Sequence, residues 1–93
     1  MKMYLVYGKD KAGWTKDPKI MWMFFKAMEN RLNDLLACTE YLSTNRIREI
    51  FEQEHDETDD RMCYFNDGKN FLTIKWSQFK DGDYQLIIED QYD

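Results

Sequence analysis

The sequence predicts an α+β fold: a two-layer sandwich of order β-α-α-β-β-β, with both helices on one face of a small, mainly antiparallel sheet. Three observations carry this expectation. A long helical period runs through residues 17–38, β-branched and aromatic runs crowd the C-terminal third, and Asp-Gly pairs separate those runs. The 93 residues are expected to form one domain, 1–93, with a single modest core.

Residues 2–7, KMYLVY, suit a first strand. Met3, Leu5 and Tyr7 alternate with Tyr4 and Val6, so both faces are apolar, which favours a strand paired centrally or covered on both sides. A loop punctuated by Gly8 and Gly13 leads to the long helix. Asp17 is its N-cap acceptor, and Pro18 presets φ where no N–H partner is needed. Met21, Phe24, Phe25, Met28, Leu32, Leu35 and Leu36 fall within about a third of the helix circumference. Ile20, Trp22 and Met23 lie off that stripe, so the helix carries more apolar surface than one core face needs.

Ser43, Thr44 or Asn45 can cap a second helix, roughly 44–54, whose Ile47, Ile50 and Phe51 would pack on the first. Six of the nine residues 52–60 are acidic and oppose the helix dipole, so this helix should fray by His55. RMCYF, NFLTIKW and YQLIIED read as strands, and both Asp-Gly pairs read as hairpin turns. In the second hairpin, a type I turn with Gly82 in a bulge pairs Phe79 with Asp83, setting Trp76 opposite Leu86 and Ile74 opposite Ile88. The first leaves open whether Met62 and Tyr64, or Cys63 and Phe65, join Leu72 and Ile74. Phe71 and Ile87 fall on the second face, either covered or exposed as a patch.

Charge is divided along the chain. Residues 1–48 carry nine lysines and arginines against five carboxylates, and residues 49–93 carry four against thirteen. This acidic excess argues against general affinity for nucleic acid or an anionic membrane, and it suits a basic protein partner. The N-terminal run has five apolar residues before Gly8, short of the roughly 7–15 of a secretory leader. No run reaches the roughly 20 apolar residues of a membrane span. Cys38 and Cys63 lie in apolar contexts without metal-type spacing, and read as reduced, buried thiols of a cytoplasmic protein.

Few residues point to catalysis. There is one histidine, no G-x-S-x-G and no phosphate-binding loop, so no catalytic residue, cofactor or metal is expected. His55 among Glu52, Glu54, Asp56, Asp59 and Asp60 has the ligand types for a hard cation but no EF-hand register. In residues 33–51, Leu36, Ala37, Leu42, Ile47 and Ile50 match the apolar positions of a helix-turn-helix, which would offer Thr44, Asn45, Arg46 and Arg48 to DNA. Tyr41 at the turn and the acidic run behind the helix oppose that reading.

The favoured expectation is a non-enzymatic interaction protein. Glu52, Glu54, Asp56, Glu57, Asp59 and Asp60 would imitate a row of phosphates and occupy a basic nucleic-acid-binding surface of a partner protein. Asp81, Asp83, Glu89, Asp90 and Asp93 lie further along. Trp22 and Trp14 would serve as apolar anchors.

Leu32, Asn33, Asp34, Leu35 and Leu36, followed by Tyr41, Leu42 and Asn45, resemble a pattern in small uncharacterised proteins of bacteriophages and mobile elements. The likeness covers about a third of the chain and ends after Phe51, where the acidic run begins. It implies a phage-like context and brings no activity with it. By analogy with other small acidic phage proteins, the partner would be a host nucleic-acid-handling enzyme such as a CRISPR nuclease, blocked by the bound inhibitor.

Overall fold

The structure, a computed structural model, describes residues 1–59 and 62–90, the side chain of Asp59 excepted. The elements are β1 (Lys2–Tyr7), α1 (Pro18–Ala37), β2 (Tyr41–Ser43), α2 (Thr44–Ile50), a 3₁₀ turn (Glu57–Asp59), β3 (Cys63–Phe65), β4 (Leu72–Gln78) and β5 (Tyr84–Asp90). The α+β class holds, with one strand, β2, added between the helices. All pairing is antiparallel: a three-stranded sheet of order β1-β5-β4 and a two-stranded sheet of β2 and β3. Among the described residues no helix is long and apolar enough to cross a membrane.

Helix α1 begins where its local chemistry dictates. The Asp17 carboxylate accepts from the Lys19 N–H at 2.9 Å, and Pro18 occupies the first turn. Met21, Phe25, Leu32 and Leu36 are fully buried, with Phe24, Met28 and Leu35 packed at the margins of the same core. Against them lie Met3, Leu5 and Tyr7 of β1 and Tyr84, Leu86 and Ile88 of β5. Phe25 sits at the middle of an aromatic cluster, 5.5 Å from Trp76, 5.6 Å from Tyr84 and 5.9 Å from Tyr7 between ring centroids. Ring pairs at these separations add to the burial of the rings themselves.

The β4–β5 hairpin follows the sequence prediction. Phe79 N–H donates to Asp83 O at 2.8 Å, Trp76 faces Leu86 and Ile74 faces Ile88. Gly82 has φ +99, which calls for glycine, and a Cβ there would also crowd the Trp14 ring at 3.3 Å.

Three other expectations are corrected, and one left open, the state of the second sheet face, is resolved. β1 is not central: β5 takes the middle, and β1 lies at an edge with Tyr4 and Val6 exposed. The second face is open to solvent. Ile87 is half-buried on it, Phe71 just before β4 is exposed, and Glu89 is buried between Lys2 at 3.7 Å and Lys75 at 2.5 Å. The first Asp-Gly pair does not close a hairpin, because β3 pairs with β2 instead. The cause is Asn66, whose N–H donates to Glu40 O and whose amide donates to Thr39 O, both at 2.9 Å. These bonds draw the chain onto β2, leaving Asn66 to Asn70 as a linking turn. Tyr64 is the residue that enters the core, and its hydroxyl donates to Ile88 O at 2.6 Å. Finally, Cys38 is exposed, because it caps the C-terminus of α1 beyond its core stripe, and Cys63, at the start of β3, is only half-buried.

Helix α2 starts with Ser43 accepting from Arg46 N–H at 3.1 Å, as one of the three expected caps. It stops at Ile50, four residues short of the expected 54. Gln53 N–H donates to Arg48 O at 2.7 Å and Glu52 N–H to Glu49 O at 3.1 Å, with Glu52 at φ +58. That is a Schellman ending with glutamate in the left-handed position where glycine is usual. Phe51 then packs on Tyr7 of β1, with ring centroids 6.3 Å apart.

Two buried tyrosines give the fold an alkaline limit. Burial, then Glu52 and Asp10, push the Tyr7 hydroxyl up to about 12, and burial and Asp17 also raise Tyr84. A hydroxyl with a raised folded pKa stabilises fully below its unfolded pKa and progressively less above it. Stability is therefore expected to fall as pH rises from about 10 towards 12. Circular dichroism across that range checks it. Tyr7→Phe should lose less stability over the same interval, although it forfeits the bond from Tyr7 Oη to Ala12 O at 2.7 Å.

Candidate functional site

The acidic segment turns out to be divided between structural work and exposure. Glu52 faces inward to the loop after β1: its carboxylate accepts from Ala12 N–H at 3.1 Å, and its carbonyl accepts from Lys11 Nζ at 2.7 Å. Asp56 is an anchor as well. Its N–H donates to Asn45 Oδ1 at 2.9 Å, and its carbonyl accepts from Asn45 Nδ2 at 3.1 Å. The Asp56 carboxylate accepts from the Thr58 hydroxyl at 2.6 Å and the Thr58 N–H at 3.0 Å, and these bonds hold it below the usual range. Glu54 and Glu57 are exposed and take part in no ion pair or hydrogen bond among the described residues. Asp59 lies in the 3₁₀ turn, and Asp60 lies outside the described residues, as does Asp93.

Sequence reasoning missed Glu49 as the electrostatic hub of this segment. Arg46 Nη1 reaches it at 3.0 Å and His55 Nε2 at 2.7 Å, and the Arg46 bond first, then the His55 bond, lower its pKa. The i, i+3 spacing of Arg46 and Glu49 was the available signal. His55 is thus engaged with a carboxylate, and among the described residues no three histidine, cysteine or acidic side chains are grouped as metal ligands. Of the residues considered for DNA contact, Thr44 is 2% and Asn45 7% exposed. Both are bonded within the fold, Thr44 to Met62 O and Asn45 to Asp56. β2 occupies the stretch between the helices.

The strained ending at Glu52 has a testable consequence. Glu52→Ala loses the Ala12 bond and retains a left-handed Cβ, whereas Glu52→Gly loses the bond but relieves the backbone. The glycine variant should be more stable than the alanine variant by about 1 kcal/mol in urea unfolding.

The two tryptophans behave differently. Trp14 is half-buried, with Nε1 donating to Gly82 O at 3.1 Å, and it fastens the loop before α1 to the β4–β5 turn. Trp22 is 57% exposed, and Ile20 and the 66% exposed Met23 are exposed on other sides of the same helix. It separates two hollows at the seam between α1 and β4. One, about 450 Å³, is lined by Phe25, Lys26, Phe71 and Trp76 among others; the second, about 320 Å³, is lined by Pro18, Lys19 and Trp76. Two further exposed aromatics, Tyr41 and Phe65, are register partners across β2 and β3.

Lys19, Trp22, Lys26, Glu29 and Asn33 fall within one narrow stripe of α1 adjoining β4. Asn33 acts as a short strand partner: its Oδ1 accepts from Leu72 N–H at 2.7 Å and its Nδ2 donates to Leu72 O at 2.9 Å. Glu29 Oε2 accepts from Ile74 N–H at 2.9 Å, while Oε1 receives Lys26 Nζ at the same distance. The lower half of the β4 edge is therefore closed by side chains of α1. Set against protein-family models, curated proteins and solved structures, the chain matches none.

Proposed function

We propose that this chain is a non-enzymatic interaction protein that docks on another protein through the Trp22 seam. One observation carries the reading: α1 buries a full apolar stripe in the core, yet leaves Ile20, Trp22 and Met23 uncovered on its remaining surface. A helix needs one apolar stripe to fold. Of these, Trp22 alone lines the hollows at the seam with β4, and tryptophan is enriched among binding hot spots.

The partner we propose is a host protein with a basic, nucleic-acid-binding surface, such as a CRISPR nuclease, inhibited by a phage-encoded protein that occupies that surface. The formal charge of −5 supports this, as do Glu54 and Glu57, which remain available after Glu52 and Asp56 are committed to the fold.

Capture from host lysate with three proteins tests both statements. The unaltered chain should retain a protein that Trp22→Ala loses, and that Glu54→Gln with Glu57→Gln retains less well at low salt. Equal capture by Trp22→Ala would remove the seam from the contact. Capture indifferent to salt and to the paired glutamine changes would remove the basic surface.

A further inference from the structure

We propose that the uncovered half of the β4 edge takes an extended acidic segment of the partner as a fourth strand of the sheet, a step that rests on reading the Trp22 seam as the docking surface. Pairing of Phe79 with Asp83 sets the alternation along β4, so Thr73, Lys75 and Ser77 bond to β5 while the backbones of Leu72, Ile74, Trp76 and Gln78 point away from it. Both outward groups of Leu72 are bonded to Asn33, and the outward N–H of Ile74 to Glu29. Among the described residues, the outward N–H and C=O of Trp76 and Gln78 have no partner. Exposed strand edges are usually blunted, and here the blunting stops halfway along one strand. The opposite edge is engaged at Val6, whose carbonyl accepts from Gln53 Nε2 at 2.9 Å.

The unblunted half lies beside Trp22 and its two hollows, both of which include Trp76. An added strand would place alternate side chains on the α1 side, one apolar group beside Trp22 and a group two residues away on either flank. Those flanks meet Lys19 and Lys26. Seven residues of helix separate these lysines by about 10 Å along the axis, and strand residues four apart are about 13 Å apart, a difference that lysine side chains span. Carboxylates therefore complement both flanks. Lys26 holds Glu29, but an ammonium has donors to spare, and Lys19 has no carboxylate partner among the described residues. A second copy of this chain would oppose the same lysines to one another, which disfavours it as the occupant.

The probe is acetyl-Glu-Thr-Val-Thr-Glu-amide, with acetyl-Lys-Thr-Val-Thr-Lys-amide as its charge-reversed control, titrated into the intact protein and followed by NMR. The acidic peptide should shift the Trp22 indole and slow exchange of the Trp76 and Gln78 amides by at least about tenfold, while the lysine peptide does neither. Gln78→Pro removes one outward N–H at a free edge and should weaken the acidic peptide by about tenfold relative to Gln78→Ala. An indole shift without amide protection would overturn strand addition and leave the docking surface standing; no response at either site would overturn both. Equal binding of the lysine peptide would overturn the acidic occupant. Amide protection that grows with protein concentration in the absence of peptide would assign the edge to a second copy and likewise overturn it.

Discussion

Phe25→Ala is expected to destabilise the fold by about 3–5 kcal/mol, read as a lowered urea midpoint. Phe25 is 2% exposed and touches rings from three different elements: Tyr7 of β1, Trp76 of β4 and Tyr84 of β5. Removing it loses the transfer energy of the ring and leaves a cavity that these neighbours cannot all close, since the two tyrosines are held elsewhere. Tyr7 Oη is fixed to Ala12 O at 2.7 Å, and Tyr84 Oη to Thr15 O at 2.8 Å. A domain of this size has about 5–14 kcal/mol of stability in total. The variant should be marginally folded at room temperature and largely unfolded on modest warming, with Leu32→Ala behaving similarly.

Trp22→Ala should do the reverse. Its ring is mostly in solvent and belongs to no buried ring pair, so stability should change by no more than about 0.5 kcal/mol. Affinity for the captured partner should fall about thirtyfold or more, the loss of a central tryptophan anchor. The two measurements must be made on the same preparation. A Trp22→Ala protein that unfolds early would show the ring to be structural, and one that binds normally would place the contact elsewhere. The difference between Phe25 and Trp22, three residues apart on one helix, is a step of about 60° round its face, from the buried stripe to its exposed margin.

That difference of face was legible in the period of α1. Asp17 and Pro18 at its start, the stripe from Met21 to Leu36 and the surplus of Ile20, Trp22 and Met23 all follow from spacing of 3.6 residues. The bulged turn at Gly82 was legible too, because a one-residue slip would have sent Leu86 and Ile88 to solvent. The acidic segment was legible only as charge. Composition could not distinguish Glu52 and Asp56, which bond backbone groups, from Glu54 and Glu57, which bond nothing among the described residues.

What the sequence by itself determined, then, is what short-range physics decides: the helix starts, the apolar stripe, the hairpin register and the division of charge. Only the tertiary structure decided which strands meet and where α2 ends. β3 left β4 for β2 because Asn66 bonds to Thr39 and Glu40, more than twenty-five residues earlier. α2 closes on a left-handed glutamate because Lys11 and Ala12, forty residues away, bond to it. The uncovered stretch of the β4 edge belongs to the same class. It is defined by where the side chains of α1 reach, and a backbone group's lack of a partner is a property of the packed fold.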